Sequence, residues 1–227
     1  MSNYKNFINY FKRSDGTATL GLGMLVSGLI LFWLGWSIYW IFFYIGVPLI
    51  PIGFALYIYG TTGRADENEL KKIIQENTDA ITFEDVKNSA EFRKRISNSP
   101  TEESFGEYVF NTNVLMKKTK SGSVISSEYV CAKMLILNDA FLVRTYAFSF
   151  VANKTQKSEI EIPFASVEKI EMEHVNKRYM LNNKELATKA SALVITHDGV
   201  KTRLPRKDDI YADEFVLKLN RLIKINE

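Results

Sequence analysis

Residues 34–40, Leu-Gly-Trp-Ser-Ile-Tyr-Trp (LGWSIYW), lie in the middle of an apolar run that extends from Gly16 to Gly63 without one Asp, Glu, Lys or Arg. A single helix of that length would measure roughly 70 Å at a rise of 1.5 Å per residue, more than twice the roughly 30 Å hydrocarbon core of a bilayer. Two spans fit instead, Ala18 to Gly35 and Trp40 to Tyr59, each near the ~20 residues a crossing requires. LGWSIYW is then the turn between them. All three tryptophans of the chain, Trp33, Trp36 and Trp40, fall here together with Tyr39. Indole and phenol rings favour the headgroup level, where one end stays apolar and the other finds a hydrogen bond, so these four residues mark a membrane interface.

The flanks set the orientation. Lys5, Lys12 and Arg13 precede the first span, Arg64, Lys71 and Lys72 follow the second, and the turn is uncharged. The positive-inside rule places both termini in the cytoplasm, and the expected location is the cytoplasmic membrane, multi-pass. A cleaved signal peptide is excluded by the length of the first span, the missing small-residue cleavage site and the second span directly after it. A single cysteine, Cys131, permits no internal disulfide and agrees with a reducing compartment. Asn153-Lys154-Thr155 has the spacing of a glycosylation acceptor but lies on the wrong side of the membrane for use.

Within the first span, Gly21, Gly23, Ser27 and Gly28 form a small-residue stripe suited to close helix packing. Pro48 and Pro51, with Gly46 and Gly53, are expected to kink or loosen the second span. Neither span contains the ionisable residues that usually line a conduit, so the hairpin reads as an anchor and assembly surface. Before it, NYKNFINYFKR places Tyr4, Phe7, Ile8 and Phe11 at helical spacing, which predicts an interfacial helix lying on the cytoplasmic leaflet.

Composition changes after the spans. RADENELKKIIQEN and TFEDVKNSAEFRKRISNSP predict two short charged helices, the second capped by Thr82 and stopped before Pro100, acting as a spacer. Beyond them the period shifts to two. SEIEIPF sets Ile160, Ile162 and Phe164 against Glu159, Glu161 and Pro163, the alternation of a half-buried strand. VEKIEMEHV continues it, and SALVITHDGVKTRLP is a hairpin turning at Asp198-Gly199, a pair that tolerates positive φ. EYVFNTNVLMKK, SSEYVCAKMLILND and AFLVRTYAFSFV supply further strands, separated by turns at Ser121-Gly122 and Asn138-Asp139. The total is about seven. Finally, DDIYADEFVLKLNRLIKIN puts Phe215, Leu219, Leu222 and Ile223 on one helical face, with Asp208 or Asp209 as the cap.

MLILNDAFLVRTYAFSF, SEIEIPFASVEKIEME, SALVITHDGVKTRLP and ADEFVLKLNRLI together resemble the bacterial pleckstrin-homology-like (PH-like) and GRAM-like families over about residues 105–225. The resemblance implies an α+β chain in which a transmembrane α-hairpin precedes a cytosolic PH-like bent β-barrel of about seven antiparallel strands, closed by a C-terminal helix. The chain departs from the pattern in having Asn138 where Thr is common and in carrying NKRYMLNNKELATKA as a polar insertion between strands. The expected organisation is an interfacial segment at residues 1–16, the hairpin at 17–60, a charged helical linker at 61–101 and the PH-like domain at 102–227. The resemblance supplies no catalytic residues.

Residue chemistry agrees with a non-catalytic role. His197-Asp198 lacks the further ligands a metal site requires, His174 being the only other histidine, and neither metal nor cofactor is expected. No phosphate-binding glycine loop, paired cysteine cluster or nucleophile elbow occurs. Lys117, Lys118 and Lys120, near one hairpin turn, and Arg203, Arg206 and Lys207 are candidate lipid contacts, each cation worth about 1 kcal/mol beside an anionic leaflet. Of 29 basic and 26 acidic residues, only Lys5, Lys12, Arg13 and Asp15 precede the apolar run, so the rest balances to within one charge. That balance argues against nucleic acid. Two functions follow as expectations. One is a membrane-anchored interaction or assembly module, binding membrane lipids and a protein partner or a second copy. The other is a regulated membrane effector whose hairpins oligomerise through Gly21 and Gly28 and perturb the bilayer.

Overall fold

Three glycines recur at every seventh position along each of two helices of the N-terminal unit: Gly21, Gly28 and Gly35 on α2 (Asp15–Ser37), and Gly46, Gly53 and Gly60 on α3 (Trp40–Thr61). These six are the buried positions of the two helices, while the large apolar side chains point outward. A heptad of small residues keeps one face of each helix toward its neighbour and brings the backbones close. A Cβ at Gly60 would lie 2.6 Å from the amide nitrogen of Ala18, and one at Gly46 would lie 2.6 Å from that of Phe32. In this computed structural model, which describes residues 4–96, 101–111, 113–119, 121–181, 184–206 and 211–225, only Ile38 and Tyr39 link α2 to α3.

Both helices are long and apolar enough to cross a bilayer, at about 34 and 33 Å for 23 and 22 residues. They extend beyond the expected spans, to Asp15, Ser37 and Thr61. Ser14 caps α2, its Oγ accepting from the Gly16 amide. α3 runs through Pro48 and Pro51 as one helix, and Gly46 and Gly53 serve close packing rather than loosening. α1 (Tyr4–Lys12) also belongs to this unit. Its buried face is Phe7, Tyr10 and Phe11, so Tyr10 takes a place expected for Ile8. The Asn9 side chain donates to Gly63 O (2.7 Å) and the Arg13 guanidinium to Tyr59 O (2.6 Å) and Thr62 O (3.1 Å). These bonds occupy carbonyls that the end of α3 leaves without intrahelical partners.

A second compact unit begins at Glu67. Among the described residues it opens with α4 (Glu67–Asp79), α5 (Glu84–Asn88) and α6 (Ala90–Arg93), followed by nine strands and a last helix, α7 (Ala212–Ile225). The chain is therefore α+β, with two apolar helices followed by antiparallel sheets. β1 (Glu102–Tyr108), β4 (Glu128–Ile136), β5 (Ala140–Ser149) and β6 (Thr155–Pro163) form a sheet in the order β1-β4-β5-β6. β2 (Met116–Lys118) pairs with β3 (Val124–Ser126), and β7 (Val167–Leu181), β8 (Lys184–His197) and β9 (Val200–Pro205) form the third sheet.

This differs from the expected closed barrel of about seven strands. Among the described residues nine strands lie in three sheets with no closed ring. EYVFNTNVLMKK is not one strand but the end of β1, a loop and β2, and Glu102 to Gly106 pair with β4 beyond the strand expected there. The supposed polar insertion is the outer part of the β7–β8 hairpin, whose register continues to Leu181 opposite Lys184. Tyr179 anchors it by stacking on Phe110 at 5.1 Å. At the other end Asp198 (φ 47°) and Gly199 (φ 72°) make the two-residue turn into β9, as their sequence predicts.

Alternation along β4 and β5 builds two cores. Met134, Ile136, Phe141 and Val143 face Ile170, Leu193, Ile195 and Leu204 of the third sheet, together with Phe215, Leu219 and Ile223 of α7. Leu135, Leu137, Ala140 and Leu142 point the other way and are covered by Phe83 and Val86, with Phe92 and Ile96 at the margin. The residues expected as a spacer are thus the lid on this second face. A sheet apolar on both sides needs a layer on each. Asp208, Asp209 and Pro100, read as a cap and a stop, lie outside the described residues.

Candidate interaction surface

The helix-covered face of the four-stranded sheet carries an ordered row of charge. Strand pairing sets Arg144 of β5 beside Glu159 of β6, and their side chains project to the same face. Arg144 also forks onto Asp85 of α5, donating from Nη1 to Oδ1 (2.7 Å) and from Nη2 to Oδ2 (2.6 Å), and it donates to Thr82 O. Its guanidinium lies 5.1 Å from the centroid of the Phe83 ring. Such bidentate geometry combines strength with direction, and it pins α5 to the sheet. Two residues along β6, Glu161 accepts from Arg95 Nη2 (2.5 Å), while Arg95 Nε donates to both oxygens of Asp139 (2.8 and 2.9 Å). In the other direction, the Lys157 ammonium sits 5.1 Å from the centroid of the Tyr146 ring.

The electrostatic result is a held carboxylate. The Arg144 hydrogen bond keeps the Asp85 carboxyl well below the ordinary value, down to about 2, and the carboxylates in turn raise Arg144. Beside this row lies an open groove of about 670 Å³ bordered by Asn77, Thr82, Asp85, Arg144, Tyr146 and Lys157. Its far wall is β6, a sheet edge exposed at every residue except Ile162. On this same face Cys131 is buried opposite Tyr146, its thiol donating to Tyr146 O, and burial pushes its pKa up.

The candidate lipid contacts are dispersed. Lys117 and Lys118 are neighbours in β2, but Lys117 is buried and Lys118 is exposed. Lys120 and Lys207 lie outside the described residues. Arg203 of β9 is held by Glu173, Nε to Oε2 at 3.0 Å and Nη2 to Oε1 at 3.4 Å. Arg206 pairs with Glu103 (3.6 Å) and lies over Phe215, 4.1 Å from the ring centroid. The two groups belong to different sheets, and three of the four described cations are buried or engaged by carboxylates.

The small-residue stripe divides likewise. Gly21 and Gly28 pack against α3, whereas Gly23 has open space where a side chain would begin and Ser27 is exposed on the outer face. Spacing of four residues drifts around a helix, and only the heptad partners Gly21, Gly28 and Gly35 stay on the contact face. Trp33, Trp36, Tyr39 and Trp40 are all exposed at the turn end of the hairpin, with Trp40 against Phe43 (5.8 Å between centroids). His197 is buried and hydrogen-bonded through Nε2 to Thr202 Oγ1 (2.9 Å).

Sequence reasoning missed Arg144, Asp85 and Arg95. The alternation of Glu159 and Glu161 marks their face of β6, but nothing local connects Asp85 with a strand 59 residues later. Comparison of the chain with protein-family models, with curated proteins and with solved structures finds no match.

Proposed function

We propose that this chain is a membrane-anchored, non-catalytic interaction module, with α2 and α3 crossing the bilayer as a hairpin and the unit from Glu67 onward working at the cytoplasmic face. The observation that carries this reading is the inverted pattern of the hairpin. Glycines are its buried residues, while Leu22, Ile30, Ile41, Ile45, Phe54 and others are half or more exposed. An apolar surface of that extent is unstable in water and at home in lipid. The aromatic cluster at the turn fits one headgroup layer, and the cations flanking the hairpin fit the cytoplasmic side of the other.

The finer reading of the globular unit is a PH-like domain. Support comes from successive antiparallel strands forming two sheets around one core, with α7 packed into that core. Binding through a strand edge and an adjacent groove suits such a unit better than catalysis, because the charged side chains beside the groove, Arg144 with Asp85 and Glu159 and Arg95 with Asp139 and Glu161, are engaged with one another. The effector alternative loses its proposed contacts, since Gly21 and Gly28 are occupied within the hairpin.

Alkaline extraction of membranes tests the anchor, and reporters fused at Met1 and Glu227 test the orientation. Retention in the pellet with both reporters cytoplasmic is expected. Release at alkaline pH overturns the anchor, and reporters on opposite faces overturn the hairpin topology.

A further inference from the structure

The geometry points to β6 as a self-association edge: two copies of this chain pair their β6 strands antiparallel about a two-fold axis centred on Ser158. The backbone supplies the first reason. Ser149 N donates to Lys154 O at one end of the β5–β6 ladder, and Phe164 N donates to Asp139 O at the other. With the register between them, residues 156, 158, 160 and 162 turn both peptide groups toward β5. Thr155, Lys157, Glu159 and Glu161 therefore direct theirs outward, into solvent. Among the described residues nothing pairs with that edge, and Thr155 to Glu161 are exposed throughout. The opposite edge of the sheet, β1, lies alongside β9 and is tied to the chain after it by the Glu103–Arg206 pair.

Charge selects the occupant. Long open edges normally invite indiscriminate pairing, and charged side chains on them deter it. Here the charges deter most strands but match a second copy. With Ser158 opposite Ser158 of the second copy, Lys157 faces Glu159 across the junction, and symmetry repeats that pair. Shifting the centre by one residue toward the N-terminus, onto Lys157, sets that ammonium against its own copy. Shifting it two residues toward the C-terminus, onto Ile160, sets Glu159 against Glu161 twice. The intermediate register, centred on Glu159, puts that carboxylate against its own copy. Only the Ser158 register opposes unlike charges with no like pair. Both groups are available for it. Lys157 rests on the Tyr146 ring and has no carboxylate partner among the described residues, while Glu159 receives Arg144 on Oε2 and keeps Oε1. Half-exposed Ile160 on the other face becomes covered by Gln156 and Ser158 of the second copy.

One strand pair is a small interface. It rests on the anchoring proposed above for its strength, because tethering both copies to one bilayer raises their effective concentration. The pairing makes a continuous sheet, β1-β4-β5-β6 from each copy, leaving the two grooves beside the junction.

The test uses full-length protein carrying Ser158→Cys, reconstituted in liposomes at high lipid-to-protein ratio and oxidised mildly. Directly opposed residues without mutual backbone bonds have Cα atoms about 4.5 Å apart, within disulfide range. A disulfide-linked dimer is expected, and buried Cys131 gives no background. Adding Lys157→Glu makes both cross-strand pairs repulsive and is expected to lower the dimer yield about tenfold. Co-reconstituting that variant with one carrying Ser158→Cys and Glu159→Lys restores unlike pairs in the mixed species, which then exceeds either homodimer. No crosslink at position 158, a yield unaffected by Lys157→Glu, or dimers that form only through Ser27→Cys on α2 each overturn the inference. Alkaline extraction of the same liposomes separates the two proposals: a retained but uncrosslinked chain removes the strand pairing and leaves the anchor standing.

Discussion

Gly21 and Gly53 cross backbone to backbone: a Cβ on either one would lie 2.8 Å from the carbonyl oxygen of the other. No side chain at these positions has a way out, because what it would meet is main chain. Helix α2 therefore holds α3 at a distance only glycine allows.

Gly53→Ala should separate the helices although alanine favours helix formation by about 1 kcal/mol. Overpacking against rigid backbone is expected to cost about 1–3 kcal/mol. Gly23→Ala makes the same chemical change where a Cβ meets nothing within 4 Å. It should leave stability unchanged or raise it. Loss of helical circular dichroism on titration from mild detergent into dodecyl sulfate measures both, and equal behaviour of the two variants would contradict the heptad contact.

Arg144→Met removes the fork that joins α5 to β5 and β6. Asp85 and Glu159 are half or more exposed, which limits the penalty of leaving them unpaired, so a loss of about 1–2 kcal/mol is expected. Arg144→Lys keeps the charge without the fork and should fall between. Denaturant unfolding gives the magnitudes, and limited proteolysis should show cleavage moving into residues 80–96.

The Asp85–Arg144 pair also sets an acid limit. Asp85 has a folded pKa of about 2 against an ordinary 3.8. A lowered carboxylate pKa stabilises the fold above the unfolded value, and the contribution disappears as pH falls through the folded one. Protection from hydrogen exchange at α5, relative to the intrinsic rate at each pH, should therefore fall between about pH 4 and pH 2, and Asp85→Asn should flatten that dependence while weakening α5 at neutral pH.

Cys131 has no exposed surface, and burial raises its pKa, so both access and thiolate fraction are low. Maleimide should label it slowly in the native protein and rapidly after denaturation. Fast native labelling would mean that β4 and β5 open locally.

Local chemistry made several elements legible. The charge-free stretch announced two helices, because a bilayer-length apolar segment has few other uses, and LGWSIYW sat at their junction. Asp198-Gly199 announced its turn through the backbone conformations those residues tolerate. Period-two alternation at Ile160 and Ile162 and the helical stripe of Phe215, Leu219 and Ile223 described their own elements correctly. Each is a property of neighbours in the chain. NKRYMLNNKELATKA reads as a polar insertion between strands but belongs to the strands themselves, because its strand character resides in a cross-strand ladder and in the stacking of Tyr179 on Phe110, neither visible in its polar composition.

What tertiary structure alone decided is which residues meet. Glycines at 21, 28 and 35 acquire meaning only against 46, 53 and 60, since a contact face belongs to two helices at once. Asp85 looks like a spacer residue until Arg144 arrives from a distant strand, and Lys117 looks like a loop cation until its strand buries it. The sequence by itself determined the elements and their apolar faces, because helix and strand periods are local. Pairing depended on long-range geometry, where small differences in register and approach choose among many partners that composition leaves equivalent.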